Sequence, residues 1–167
     1  NTQDLTDTMG LARCAINAET MQSKKHYIEP AKKIKNVAVV GGGIGGMESA
    51  IVLAKRGHKV TLYEKGGQLG GVFIAAAAPS FKEKDRDLIT WYRRELTKYP
   101  IDVKLNSEVL SLTTVEADEV IIATGATPNR IPIPGFEKGI QAIDFLLGKQ
   151  EVGEKVTIIG GGLTGCE

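Results

Sequence analysis

A three-layer α/β fold with a parallel sheet is predicted by three features of this 167-residue sequence. Runs of strand length stand at Val37–Val40, Val60–Tyr63, Val120–Ile122 and Val156–Ile159, and the first, bounded by glycines, reads as a buried parallel strand. The first run passes through a cluster of glycines into a segment of helical periodicity, and a second apolar run follows it. The passage from Lys35 to Glu48 then recurs from Glu154 to Glu167, so the chain contains an internal duplication of one motif.

Taken in order, residues 1–34 show weak periodicity and read as an arm with one short helix. The strand Val37–Val40 feeds a helix from Ile44 to Arg56 that sets Met47, Ile51 and Ala54 on one face, and Gly57 stands where a left-handed cap is expected. Val60–Tyr63 completes a βαβ unit, which is right-handed in nearly all known cases. Residues 66–78, rich in glycine and alanine, read as a loop wrapped around a ligand. Ser80 and Glu83 read as a capping box for a helix from Phe81 to about Lys98, in which Leu88, Tyr92, Leu96 and Tyr99 recur at helical spacing. Trp91 reads as partly buried packing. Ile101–Leu105 alternates like a strand, and Glu119–Ile122 is a further strand. A turn with Pro128, Pro132 and Pro134, a helical stretch at Ala142–Leu147 and the strand Val156–Ile159 follow. This order divides the chain into an arm (1–34), a first nucleotide-binding domain (35–130), a linker (131–154) and the opening of a second such domain (155–167).

Composition narrows the class. Lys plus Arg number 21 and Asp plus Glu 20, giving a net charge of +1 and no electrostatic footprint for nucleic acid. The lysines at 24, 25, 32, 33 and 35 read as a solvated linker. No stretch has the length of a membrane span, and the two cysteines, Cys14 and Cys166, fit a reducing cytoplasm and not a disulfide framework. Glycine, at 20 residues, is concentrated at a few sites, which implies close backbone approach to a ligand.

The first cluster, Gly41-x-Gly43-x-x-Gly46, lies between strand and helix, the context that a dinucleotide fingerprint requires. Gly41 permits the tight turn, Gly43 lets a diphosphate approach the backbone, and Gly46 lets the helix pack closely. Ile44 and Gly45 open the helix, whose unpaired amides and dipole favour phosphate. Glu64, at the end of the second strand, is placed to accept hydrogen bonds from ribose hydroxyls, with Lys65 beside it. These features make the predicted fold Rossmann-like. The alternative, a glycine turn beside an unrelated surface glutamate, leaves the strand, helix, second strand and terminal acid as coincidence.

The fingerprint alone fits FAD or NAD(P). Leu69-Gly70-Gly71 stands where flavin-dependent disulfide reductase-like proteins pass a flexible backbone along the cofactor. Ala123-Thr124-Gly125, after the strand ending at Ile122, can approach the same dinucleotide. Gly160, Gly162 and Gly165 supply a separate nucleotide turn, so FAD at the first turn and NAD(P)H at the second is the better order.

With these residues in view, the stretch from Cys14 to Glu167 resembles the C-terminal flavin portion of the old yellow enzyme-like reductases, the group of 2,4-dienoyl-CoA reductase, 2-enoate reductase and trimethylamine dehydrogenase. The carrying pieces are Cys14–Asn17, Pro30–Lys33, Val37–Gly46, Lys55–Lys65, Leu69–Gly71, Asn106–Val109, Ala123–Pro128 and the closing glycine motif. The resemblance implies electron flow from NAD(P)H through FAD and a [4Fe–4S] cluster to FMN in a separate barrel, where an activated C=C bond is reduced. It implies Cys14 as the last of four cluster ligands and Val109 against the adenine through its backbone. It places Thr124 and Gly125 near the diphosphate or flavin, and Glu64 and Lys65 beside the adenosine ribose. Val72 departs from the glutamine that often follows the double glycine in the family. A cluster needs about four thiolate-like ligands, so Cys14 is expected to serve only with cysteines from a longer parent chain. The second glycine motif stops at Glu167, before a second βαβ unit, and the sequence is expected to be a piece of an enzyme whose barrel and cluster domains lie elsewhere. A glutamate synthase small subunit-like oxidoreductase and a non-catalytic nucleotide-binding module are the alternative readings. No catalytic acid or base is identifiable: His26 and His58 stand alone, with His58 read as a surface turn, and Tyr63 and Tyr99 read as packing.

Overall fold

The computed structural model describes residues 14, 17, 19, 20, 22, 26–129 and 132–167. The short helix expected in the arm falls largely outside the described residues. Four parallel strands form one sheet in the order β3-β2-β1-β4, with β1 at Asn36–Val40, β2 at Lys59–Tyr63, β3 at Ile101–Lys104 and β4 at Glu119–Ile122. Helix α1 (Ile44–Lys55) joins β1 to β2, and α2 (Phe73–Ala76) and α3 (Glu83–Leu96) lie between β2 and β3. Two further short helices, α4 (Ala142–Leu146) and α5 (Leu163–Cys166), follow β4.

The centre of the sheet carries the core because its two inner strands place Val37–Val40 of β1 and Val60 and Leu62 of β2 in the interior. Val37 to Val40 are all buried, and Val60 and Leu62 join Val39 in a cluster with Met47, Ala50 and Ile51 of α1 and Leu96 of α3. Ala54 is half-buried at the margin of that cluster. Gly57 takes a positive φ of 92° just past α1, as the cap position requires. At the start of the sheet, the amide of Asn36 donates to Asp118 Oδ2 at 2.7 Å and Lys35 Nζ pairs with Glu119 at 2.6 Å. These contacts set β1 and β4 in register. His58, half-buried in the turn before β2, accepts a hydrogen bond from the Lys35 amide at 3.2 Å through Nδ1.

Four local expectations are corrected. Residues 66–78 contain the short helix α2, since Phe73 to Ala76 are good enough helix formers to close one turn once Gly70 and Gly71 have reversed the chain. The capping box does not form: α3 begins at Glu83 after Lys82, so Ser80 stands two residues too early to reach the first-turn amides. The Ser80 carbonyl instead accepts from Arg86 Nη2 at 2.9 Å, while Arg86 Nη1 binds the carbonyls of Ala77 and Pro79. Ile89, not Leu88, is buried on the inner face of α3. Finally, Val156–Ile159 joins no ladder among the described residues, and Ile158 and Ile159 are 67% and 72% exposed. An apolar run is a strand only when a neighbour receives its amides and carbonyls.

Helix α3 is anchored by two titratable groups. Burial beside α1 pushes the Tyr92 phenol up to about 12, helped by the negative charge of Glu48 and a hydrogen bond to it. The hydrogen bond from Lys98 holds the Glu95 carboxyl below its usual range against the opposing effect of burial, and the Lys98–Glu95 pair measures 2.6 Å. Trp91 stacks edge-on against Tyr92 with ring centroids 4.9 Å apart, and it remains 39% exposed.

Candidate functional site

The site lies at the carboxyl end of the sheet, where parallel strands leave their last carbonyls and the following turns converge. The backbone leaving β1 is gripped on both sides: the Gly41 amide donates to Tyr63 O and the Ala123 amide donates to Val40 O, each at 2.8 Å. Gly41 adopts φ 110°, and a Cβ there would come within 2.3 Å of the Ala123 carbonyl oxygen. A Cβ at Gly46 would lie 1.8 Å from the Gly41 carbonyl oxygen. These two glycines are required for packing.

Gly43 and Gly45 are different. A Cβ at either would meet nothing within 4 Å, so both open onto free space in front of the turn. Gly43 caps α1 in extended conformation, with no side chain closing the helix N-terminus. The first-turn amides, those of Ile44 and Gly45 among them, have no intrahelical acceptor and face that space with the positive end of the helix dipole. A cradle closed behind by Gly41 and Gly46 and open in front at Gly43 and Gly45 fits the diphosphate of a dinucleotide.

Glu64 sits beside the cradle. Its Oε2 accepts the Gly42 amide and its Oε1 accepts the Gly66 amide, each at 2.7 Å. The carboxylate thus holds both sides of the turn and keeps lone pairs for further donors. Lys65 is exposed next to it. The Gly70–Gly71 segment runs alongside: the Gly70 amide donates to Gly42 O at 2.8 Å, and Gly43 and Gly70 form a parallel bridge. A Cβ at Gly71 would stand 3.0 Å from Gly43 Cα, so a side chain there would push the two backbones apart. Ala123 backs Gly41, and Thr124 and Gly125 continue from it as an exposed turn.

Gly41, Gly43, Ile44, Gly45, Gly46, Glu64, Lys65, Gly70, Gly71, Ala123, Thr124 and Gly125 are therefore gathered at the carboxyl end of the sheet. Val109 is half-buried two residues beyond Ser107, whose amide binds the Glu64 carbonyl at 2.9 Å. Among the described residues, Val109 makes no hydrogen bond to the turn. Gly160, Gly162 and Gly165 build a second turn with the dimensions of the first. Gly160 has φ 113°, Gly162 caps α5 in extended conformation, and a Cβ at Gly165 would lie 1.9 Å from Gly160 O. An ion pair of 2.5 Å between Lys82 and Glu167 ties this turn to the start of α3. Cys14 is exposed, and no three His, Cys, Asp or Glu side chains converge as metal ligands among the described residues. No helix among them is long and apolar enough to cross a membrane.

Sequence reasoning missed Gly42, Gly66 and Arg93. The first two act through backbone amides, which carry no residue signature. Arg93 reaches Leu69 O with Nε at 3.1 Å and also with Nη2, and Nη2 binds Gln68 Oε1 at 3.3 Å. It lies 24 residues from Leu69 in sequence, and no short-range pattern connects the two.

The pyridine nucleotide-disulphide oxidoreductase family matches residues 4–116 and 35–167 of the chain. The cinnamate reductase of Clostridium sporogenes is 46% identical over 92% of this chain and 24% of its own length. An NADH oxidase of Thermoanaerobacter brockii is 39% identical over 93% of this chain and 25% of its own. Among solved structures, a 2-naphthoyl-CoA reductase in complex with 2-naphthoyl-CoA superposes with a TM-score of 0.84 at 34% identity, covering 91% of this chain and 24% of that one. The chain thus spans about a quarter of the length of these relatives. It belongs to the pyridine nucleotide-disulphide oxidoreductase family, in the FAD/NAD-binding form that matches the old yellow enzyme-like reductases.

Proposed function

We propose that the β1–α1 turn binds the ADP half of FAD, and that the chain is the FAD-binding, electron-transfer part of an NAD(P)H-dependent reductase. The observation that carries this reading is the cradle itself: open at Gly43 and Gly45, closed at Gly41 and Gly46, and flanked by the Glu64 carboxylate. When bound, FAD supplies exchange between the two-electron chemistry of a nicotinamide and one-electron carriers. The protein's own residues bind and orient. The amides of Gly43, Ile44 and Gly45 receive the diphosphate, Glu64 accepts ribose hydroxyls with Lys65 beside it, and Val109 offers its backbone to the adenine. Gly70–Gly71 and Ala123–Gly125 form the walls on either side.

In this reading residues 35–130 are the FAD domain, 131–154 a linker and 155–167 the opening of an NAD(P)H domain at Gly160, Gly162 and Gly165. The arm, 1–34, brings Cys14 toward a [4Fe–4S] cluster whose remaining ligands other parts of a parent chain supply; the two cysteines of this sequence do not themselves make such a site. Electrons would leave for FMN in a barrel that reduces an enoate-type C=C bond. The likeness to a cinnamate reductase supports that substrate class, cinnamate being an enoate.

The test is an absorbance spectrum of the purified chain after incubation with FAD and removal of free cofactor. Retained bands near about 375 and 450 nm, those of oxidised flavin, are expected. A colourless protein overturns the reading.

A further inference from the structure

We propose that Arg93 is a positioning residue: it fixes the Gly70–Gly71 backbone against the glycine turn and thereby sets the turn's affinity for the diphosphate of FAD. The inference rests on the FAD reading above and adds to it a residue from outside the fingerprint.

Gly70 and Gly71 are held in left-handed conformations, φ 127° and 56°, directly against Gly42 and Gly43. Local contacts act on this segment: the buried Leu69 side chain, the hydrogen bond from the Gly70 amide to Gly42 O, and the bonds that the Gly70 and Gly71 carbonyls accept from the Phe73 and Ile74 amides, each at 3.2 Å. Glycine at two successive positions leaves the backbone free to move between basins. None of these contacts fixes the Leu69 carbonyl, and that constraint comes from α3. Arg93, half-buried in the last turn of α3, presents Nε and Nη2 as a fork to the Leu69 carbonyl and shares Nη2 with Gln68. Among the described residues, no carboxylate pairs with this guanidinium within 4.0 Å. A half-buried cation is thus committed to a neutral carbonyl one residue before the double glycine.

Guanidinium geometry suits the task. Its donors are fixed in a plane, so two of them on one carbonyl define both the position and the direction of that carbonyl. The same planar peptide carries the Gly70 amide, whose bond to Gly42 O holds this segment beside Gly43. An ammonium at the same place would keep the charge but not the fork.

Arg93→Met, which retains the aliphatic stem, and Arg93→Lys, which retains the charge, test the proposal in the full 167-residue chain. FAD affinity is measured by flavin fluorescence, and amide hydrogen exchange is followed at Gly70 and at Leu62 in the core. The expected result for Arg93→Met is FAD binding weakened about tenfold or more, the size of a lost charge-assisted hydrogen bond. Gly70 exchange should accelerate while Leu62 exchange stays unchanged, and Arg93→Lys should fall between Arg93→Met and wild type in both readouts. If Arg93→Met does not fold, Arg93→Lys alone must still show faster Gly70 exchange and weaker FAD binding. Unchanged FAD affinity in a folded variant overturns the proposal, as does acceleration of Leu62 together with Gly70, which would mark a general structural role. Wild-type chain that takes up no FAD sinks the functional reading; wild-type uptake with unaltered variant affinity sinks this inference alone.

Discussion

A methyl group added at Gly46 and one added at Gly43 meet opposite surroundings, although the two positions are three residues apart. At Gly46 it would stand 1.8 Å from the backbone oxygen of Gly41, so α1 must move away from β1. Gly46→Ala is expected to cost about 3 kcal/mol of stability by overpacking. At Gly43 it would project into open space with an ordinary extended backbone, and the loss of a tolerated cap residue costs about 1 kcal/mol. Gly43→Ala should therefore fold but lose FAD affinity. Urea denaturation beside a flavin titration separates the two, and a Gly43→Ala chain that binds FAD as wild type would contradict the proposed cradle. The division of labour among these glycines was legible in the sequence because a strand, a tight turn and a helix start are local. The double grip of Glu64 on Gly42 and Gly66 was not, since both partners are backbone amides placed only when the chain folds back.

At the scale of elements, apolar patterning located β1, α1, β2, β3 and β4 within about a residue or two, although only β1, α1 and β2 bury residues in the core while β3 and β4 are half-buried or exposed. It failed where an element depends on something distant. Ser80 and Glu83 have capping-box spacing, yet α3 starts at Glu83 after Lys82, and the Ser80 carbonyl is bound by Arg86. The α1–α3 contact itself can be tested by pH. The Tyr92 phenol, pushed up to about 12 from the usual value of 10, remains protonated longer in the folded state than in the unfolded one. The stabilisation is intact below about pH 10 and is lost as pH rises from there through about 12. Tyr92→Phe should accordingly flatten the fall in stability across that window, measured by urea denaturation at stepped pH. Identical alkaline slopes in the two proteins would show that Tyr92 is not the titrating link.

For the molecule as a whole, stability is concentrated in residues 36–123, and the run Val156–Ile159 contributes little to it. Leu62, fully buried between α1 and the sheet, should cost about 2–5 kcal/mol when changed to Ala. Ile159, 72% exposed, should change stability by less than about 0.5 kcal/mol when changed to Ser. Melting temperatures of the two variants decide the matter, and a large loss for Ile159→Ser would mean that the run packs in solution. The duplicated motif shows what sequence likeness carries. Gly160 and Gly165 repeat the conformation and close approach of Gly41 and Gly46 although their strand has no ladder, so the turn is encoded locally and the sheet is not.

The pairing of β1 with β4 also bears on how the chain is expected to fold. The two strands pair, Val37 with Glu119, across a stretch of chain that contains α1, β2, α2, α3 and β3. Local turns close in microseconds, whereas a contact across so long a span pays its loop entropy first and is formed late. During synthesis β1 emerges early and waits with one edge bare until β4 follows. For that interval the wall provided by Ala123 does not exist, and the edge of β1 is a template for any passing strand. The nascent chain is thus expected to be open to mispairing at a strand that is later among its most deeply buried.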